Sequence, residues 1–508
     1  MPSRSPSRIL FHFPNLYRNQ HQILRSGRVF RPLTAVTFSA AAAFTIQSSH
    51  NHNQAFAFSQ HSTITPSFLK HHSSQRHTIH TMSNNSLDAL FNLTTLDDLQ
   101  PSSSKTEDTS VSSSSPSPPS PLLTSLLSRT IPPLTPNAHK GSSGRIAIIG
   151  GSPKYTGAPY YAAMASLRCG MDLVTVHCAN EASGPIKGYS PELMVDPFYK
   201  AIELEEIMSS SSNSGNGSSG ITDSITTLDQ VSKMVQHIVP SLIQGRIHSL
   251  VIGPGMGRCP IVMEAVSQII RGAIQQGIPI VLDADALYLI GQEPYQNLLE
   301  EELKIKLSSV SNSKNDAAAD VAVVVLTPNV VEYKRLVDSI GEGSEERLKD
   351  KLKGVILIVK GQYDTIEICT RTTRTTTVAK HHSHNGQELV SMQCRQIGGL
   401  KRSGGIGDVL AGMIGSFLAW NQILKALDHK GSASSSSGQL QDTELVVEEK
   451  VANINLILSC WFACALTKRA TKVAFDKRRR SMTAPDILEE IGMVIDEYTS
   501  STILNKML

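Results

Sequence analysis

Arg145-Ile146-Ala147-Ile148-Ile149-Gly150-Gly151 is a short apolar run that ends in two glycines. Ala158 to Cys169 follows it with helical spacing, and Leu173 to Cys178 then returns to an apolar run. Strand, helix and strand in close succession form a βαβ unit, because two parallel strands need a crossover long enough to hold a helix. The rhythm recurs: Ser249 to Gly253, Val262 to Gln276 and Ile278 to Leu282 read as strand, helix and strand, and Val323 to Leu326 and Val355 to Val359 add two more strands. These strands are apolar at nearly every position instead of alternating, the pattern of strands buried on both faces. The expectation is an α/β domain with a largely parallel central sheet covered by helices on either side.

In front of this domain the composition changes. Residues 1–87 hold no Asp or Glu, the first acid being Asp88, and are rich in Ser, His, Asn and Arg. That is the composition of an organellar transit peptide, so import into chloroplast or mitochondrion is expected, with a start at Met82 giving a shorter cytosolic form. The apolar run Leu33 to Ile46 is too short for a membrane span of about 20 residues, and no membrane association is expected. Residues 88–121 read as a linker, almost wholly Ser and Pro between Pro101 and Pro121, because such a composition cannot bury enough apolar surface to offset its ordering entropy. The folded domain is expected over residues 122–500. Four low-complexity stretches, Ser209 to Gly220, Ser308 to Asp320, Ala379 to Glu388 and His429 to Gln441, read as surface inserts. Val451 to Phe475 and Ala484 to Tyr498 read as closing helices.

The formal charge of +3 belongs largely to the leader: Arg4, Arg8, Arg18, Arg25, Arg28, Arg31, Lys70 and Arg76 all precede Asp88, and without these eight the charge is −5. A mildly acidic body argues against a nucleic-acid partner. Arg478-Arg479-Arg480 reads as a solvated helix end. The seven cysteines include no Cys-x-x-Cys pair and read as reduced, structural thiols, with Cys460 and Cys464 sharing the core face of a helix. His381, His382 and His384 read as part of a surface loop.

In open parallel sheets, ligands sit at the carboxyl ends of the strands. The segments there are Gly150-Gly151-Ser152, Gly253-Pro254-Gly255-Met256-Gly257, Asp283-Ala284-Asp285-Ala286, Thr327-Pro328-Asn329 and Lys360-Gly361. The first is not a dinucleotide fingerprint, since the Gly-x-Gly-x-x-Gly register is absent and no acid closes the second strand. It reads as the wall of a substrate site, with Gly157 and Tyr160 near the ligand. The second reads either as a backbone cradle for an anion or as a tight strand-helix turn. Asp283 and Asp285 could position Mg²⁺ or cap the next helix, Asn329 and Glu332 have the spacing of a capping pair or of substrate contacts, and Lys360 could reach nucleotide phosphates or extend to solvent. Further on, Gly398 to Gly407 is a glycine-rich loop that enters an apolar helix at Asp408. Glycines and the free N–H groups of a helix start favour a bound anion, with Lys401 and Arg402 countering its charge. A carboxylate beside that anion suits activation of an attacking hydroxyl.

These motifs resemble, in order, those of the ATP-dependent NAD(P)H-hydrate dehydratase family of the ribokinase-like superfamily. The resemblance rests on His139-Lys140-Gly141, Tyr155-Thr156-Gly157-Ala158-Pro159, Tyr189-Ser190-Pro191-Glu192, the segments Gly253 to Gly257, Leu326 to Glu332 and Lys360-Gly361, and Gly404-Gly405-Ile406-Gly407-Asp408, and covers about Leu122 to Val494. It implies a ribokinase-like three-layer α/β/α sandwich, and it implies repair of hydrated NADH or NADPH while ATP becomes ADP and phosphate. By the same matching Asp408 is the base. Lys360, Gly361, Gln362, Tyr363 and Asp364 hold ATP together with Gly398, Gly399, Leu400, Lys401, Arg402, Ser403, Gly404, Gly405, Ile406 and Gly407. Gly255 or Gly257, then Asn329, Val330, Val331, Glu332, Tyr333, Lys334, Arg335 and Asp408, contact the hydrate. Mg²⁺ would bridge the phosphates, and no side chain is assigned as a metal ligand. Ile406 stands where eukaryotic relatives often carry Gln. Bacterial relatives often carry a fused epimerase, whereas the front of this chain is low-complexity, so the epimerase is expected as a separate partner; a homo-oligomer is compatible with the sequence. Two rival readings are a vitamin-precursor kinase of the same superfamily, whose product is a stable phosphate ester, and a catalytically silent nucleotide-binding protein.

Overall fold

The computed structural model describes Leu93, Thr95, Leu96, Leu126 and residues 129–213, 219–244, 247–311, 323–369, 391–432 and 442–507. All lie in the contact unit Ser67–Leu508. The strands are β1 (Arg145–Ile149), β2 (Leu173–Ala179), β3 (Met194–Tyr199), β4 (Ser249–Ile252), β5 (Ile280–Leu282), β6 (Val324–Leu326), β7 (Ile356–Val359), β8 (Asp364–Ile368) and β9 (Ser391–Cys394). They form one sheet in the order β3-β2-β1-β4-β5-β6-β7-β8-β9. Pairing is parallel from β3 to β7 and antiparallel for β7 with β8 and β8 with β9.

The first helices in the chain are α1 (Gly157–Cys169), α2 (Asn180–Tyr189), α3 (Ala201–Asn213), α4 (Ser219–Ile243), α5 (Pro260–Gln275), α6 (Asp285–Ile290) and α7 (Leu298–Ser311). They are followed by α8 (Val330–Ser339), α9 (Glu345–Lys351), α10 (Ile406–Ser432), α11 (Asp442–Arg478) and α12 (Ala484–Met507). Because side chains alternate across a strand, each apolar run feeds two cores. Ile146, Ile148, Val251, Val281, Val325, Ile356 and Ile358 face α1, α10, α11 and α12. Ala147, Ile149, Leu250, Ile252, Ile280, Leu282, Val324, Leu326 and Leu357 face the other layer, to which α4, α5 and α7 belong. This is the expected three-layer architecture, and it explains why the strands lack polar alternation.

The first layer is the more tightly built. Phe417 and Trp420 meet edge to face at 5.1 Å, as do Trp461 and Phe462 at 5.2 Å. Each indole N–H has a carbonyl partner: Trp420 donates to Ser143 at 2.9 Å and Trp461 to Gln393 at 3.3 Å. Gly412 lets α10 approach α1, since a Cβ there would lie 2.1 Å from the Ala162 carbonyl oxygen. Burial pushes the thiols of Cys169, Cys369, Cys394 and Cys460 up to about 12, so these cysteines are inert core residues. No described helix is long and apolar enough to cross a membrane.

Several boundaries differ from the sequence expectation. The flanks of three inserts are helical, residues 209–213 ending α3, 219–220 starting α4, 308–311 ending α7 and 429–432 ending α10; Ala379 to Glu388 lies outside the described residues, as does the rest of each insert. Serine tracts can continue a helix already nucleated by packed neighbours. Leu93 and Leu96, placed by composition in the linker, are buried in the first core, and the Leu96 N–H donates to Gln396 Oε1 at 2.9 Å. β3, β8 and β9 were not expected: β3 carries Pro197, which an edge strand tolerates, and β8 and β9 are short and amphipathic. Residues 1–87 and Pro101 to Pro121 lie outside the described residues.

Candidate active site

The carboxyl ends of four adjacent strands converge as the βαβ reading requires. Gly253 follows β4, Asp283 follows β5, Thr327 follows β6 and Lys360 follows β7, while Asp408 enters from the first turn of α10. Asp283 is buried and central. Its Oδ1 accepts from Thr327 Oγ1 at 2.8 Å and pairs with Lys360 Nζ at 2.8 Å. Although burial works against it, the Asp283 charge holds the Lys360 ammonium above its ordinary value. Asp408 faces the same group of charges. Burial first and the Asp283 carboxylate second push its carboxyl up to about 7, with Lys360 opposing. Two carboxylates and one lysine in a partly dry cleft thus leave Asp408 poised between its charged and neutral forms at neutral pH, where a general base is most effective.

The backbone is shaped around this cluster. Ala284 sits at φ 49 and ψ −112, a conformation that side chains rarely adopt and that costs on the order of 1–3 kcal/mol. The strained residue separates Asp283, which turns to Lys360, from Asp285, which accepts the Gly257 N–H at 2.9 Å and pairs with Arg258 at 3.2 Å. Asp285 therefore anchors the Gly253 to Gly257 turn. Gly253 is required there: its φ is +118, and a Cβ would lie 1.8 Å from the Asp283 carbonyl oxygen. The turn reading fits this segment better than the open anion cradle, since the Gly257 N–H is already engaged.

A cavity of 430 Å³ opens beside the cluster, lined by Asn329, Val330, Val331, Glu332, Arg335 and Lys360. Asn329 caps α8, accepting from the Val331 and Glu332 N–H groups at 2.9 and 3.0 Å, while Glu332 accepts the Asn329 N–H at 2.9 Å. The capping box and the cavity use the same residues, leaving Val330 and Val331 exposed on the cavity side. Tyr333 and Lys334, expected among the substrate contacts, do not line it. A contiguous run cannot all face one way on a helix; Tyr333 packs toward the second core, and burial together with Glu345 raises its hydroxyl pKa.

The glycine-rich loop divides into two halves. Gly398 and Gly399 pack against α11: a Cβ would lie 2.8 Å from Thr471 Oγ1 at the first and 2.6 Å from the Thr471 carbonyl oxygen at the second, and the Gly399 N–H donates to Thr471 Oγ1 at 3.1 Å. Gly404 to Gly407 is the half beside Lys360 and the start of α10. Gly404 faces open space, Gly405 takes φ +92, and Gly407 lies where a Cβ would be 3.5 Å from Lys360 Nζ. Leu400 and Arg402 are exposed, Lys401, Ser403 and Ile406 half-buried. Tyr161 abuts this half, since a Gly405 Cβ would lie 2.6 Å from its ring, and its neighbour Tyr160 meets Tyr189 edge to face at 5.1 Å.

Asp364 is buried and tied to its own turn, accepting the Gly361 N–H at 2.9 Å and pairing with Lys468 at 3.1 Å. Lys468 also donates to the Gln362 carbonyl at 2.8 Å. Gly361, Gln362 and Tyr363 are exposed on the turn that this pair holds. Thr327 stood in one of the strand-end segments read from the sequence, whereas Tyr161, Lys468 and Thr471 were not singled out; these three lie within helices and carry no local signal.

A family model described as NAD(P)H-hydrate dehydratase matches residues 146–491. A Neurospora crassa protein named ATP-dependent (S)-NAD(P)H-hydrate dehydratase is 36% identical over 71% of this chain and 89% of its own length. Proteins of the same name from Emericella nidulans and Arabidopsis thaliana are each 34% identical, over 72% and 73% of this chain and 89% and 84% of their own lengths.

Proposed function

Because the chain belongs to the NAD(P)H-hydrate dehydratase family, we propose that it restores NADH and NADPH from their S hydrates, with conversion of ATP to ADP and phosphate. The observation that carries this reading at the level of chemistry is Asp408, its carboxyl pushed up to about 7 by burial and by Asp283, standing next to the open glycines of a helix start.

ATP suits the residues present. Gly404 to Gly407 leaves room for phosphate oxygens beside the N-terminus of a 27-residue helix, with Lys360 at hand. Mg²⁺, bound with the nucleotide, would neutralise phosphate charge, and the oxygen donors of Asp408 and Glu332 are of the type it takes. The hydrate occupies the 430 Å³ cavity at the start of α8. Asp408 accepts the proton of the ring hydroxyl as its oxygen bonds to the terminal phosphorus and the bond to ADP breaks. Lys360, held by Asp283, offsets the charge that builds on the transferred group. Hydroxide is a poor leaving group, whereas phosphate leaves readily as the neighbouring ring carbon gives up its proton to solvent, restoring the dihydronicotinamide.

The test is incubation of the protein with ATP and hydrated NADH. Regained absorbance at the NADH band, with phosphate released, is the expected result. A stable phosphate ester without regained absorbance would instead make the protein a small-molecule kinase. An enzyme confined to the S form leaves the R form untouched, so a separate epimerase completes the repair. Residues 1–87 direct organellar import on this reading, and a fluorescent fusion of that segment that stays cytosolic would refute it.

A further inference from the structure

His177, Asp196 and His237 bring two imidazoles and a carboxylate together away from the site described above. His177 and Asp196 are register partners on the parallel strands β2 and β3, so both side chains leave the same face of the sheet, and His237 meets them from α4. Asp196 Oδ2 lies 3.1 Å from His177 Nδ1 and 2.8 Å from His237 Nε2. All three donor atoms lie within 4.8 Å of one another. His177 is 3% exposed, and its Nδ1 has no hydrogen-bond partner of adequate alignment among the described residues. Nδ1 is met by the Asp196 carboxylate at 3.1 Å, off line for a good hydrogen bond, and a buried polar nitrogen so poorly satisfied points to a ligand.

We propose that His177 Nδ1, His237 Nε2 and an Asp196 carboxylate oxygen bind one divalent transition-metal ion of the zinc class, fastening α4 to the edge of the sheet. Two imidazoles with one carboxylate select borderline metals, whereas Mg²⁺ and Ca²⁺ call for oxygen ligands. Donors about 2.0–2.1 Å from a tetrahedral ion stand roughly 3.3 Å apart. The observed 2.8 and 3.1 Å edges therefore need to open by no more than about half an ångström, and the His177 to His237 edge lies within 4.8 Å, to be closed by side-chain motion. His237 and Asp196 are each 41% exposed, which leaves a route of entry and a fourth position for water. β2 and β3 lie on one flank of the sheet and Asp283 and Lys360 on the other side of β1 and β4, so the ion serves the fold and not the reaction.

The full-length protein, stripped with a chelator, is titrated with Co²⁺ and followed by its visible ligand-field bands, with Zn²⁺ competition and thermal melting alongside. One saturable ion per chain, displaced by Zn²⁺ and raising the melting temperature, is expected. His237→Ala, at an exposed position, keeps the metal-free melting temperature and weakens binding at least about tenfold, as does Asp196→Asn. Replacing His381, His382 and His384 together by alanine leaves the titration unchanged. Wild-type binding in His237→Ala, loss of binding in the triple variant, or no saturable uptake overturns the proposal.

Discussion

Replacing Asp408 by asparagine should abolish turnover and, at alkaline pH, make the protein more stable. The Asp408 carboxyl stands at about 7 in the folded protein against 3.8 for an ordinary aspartate, through burial and then the Asp283 charge. The folded state thus binds this proton more tightly than the unfolded chain. Below pH 3.8 both states carry it and the group contributes nothing. As pH rises toward 7 the folded state loses about 1.4 kcal/mol per pH unit relative to the unfolded one, and above 7 the loss is complete, on the order of 4 kcal/mol. Asparagine has nearly the same shape and cannot ionise, so the variant escapes this loss. For a folded unit of roughly 350 residues, the melting temperature should rise on the order of 5 °C at pH 8, with the gain shrinking steadily toward pH 4. Thermal melts of both proteins from pH 5 to pH 8.5 measure it, and hydrate turnover should fall at least about a hundredfold with ATP binding kept. A stability difference that does not change with pH, or an asparagine variant that is the less stable at pH 8, would refute the placement of Asp408 in a charge-crowded cleft.

The same group should give kcat/KM an acid limb near pH 7, since the free enzyme needs Asp408 ionised. Asp283→Asn removes a like charge and should move that limb to lower pH, so a limb that stays in place would assign it to another group. Gly253→Ala places a Cβ 1.8 Å from the Asp283 carbonyl oxygen at φ +118, and a loss of roughly 3 kcal/mol or more is expected in urea unfolding. A wild-type midpoint would show that the turn relaxes freely. Asn329→Ala removes a helix cap and should cost about 1 kcal/mol of stability, whereas Asn329→Asp keeps an accepting oxygen and most of that stability. Equal losses in the two variants would contradict the capping role.

The parallel sheet was legible because burial on both faces leaves a signature in consecutive residues, as in Ile146 to Ile149 and Val323 to Leu326. β3 was not, since Asp196 and Pro197 break the apolar run and only an edge position accommodates them. At the site, Lys360, Asp408 and the Asn329 to Glu332 segment could be found by their place after strands or before helices. Tyr333 and Lys334 came with that segment through the family matching and lie outside the cavity lining, as a contiguous run on a helix cannot all face one way. Gly398 and Gly399 read as part of a phosphate loop, and the fold adds a second reason for them, since their lack of side chains accommodates Thr471 and Phe475 of α11. A glycine's reason lies in what approaches it, and that is a tertiary fact.

By itself the sequence determined the βαβ order, the two-faced burial of the strands and the family to which the chain belongs, because these follow from local periodicity and from motifs read in order. Only the tertiary structure decided that Asp283 and Lys360, 77 positions apart, form the pair that faces Asp408, and that His177, Asp196 and His237 meet across two strands and a helix. Charge coupling and ligand geometry depend on distances of a few ångströms between residues far apart in the chain, and such distances exist only once the sheet has closed.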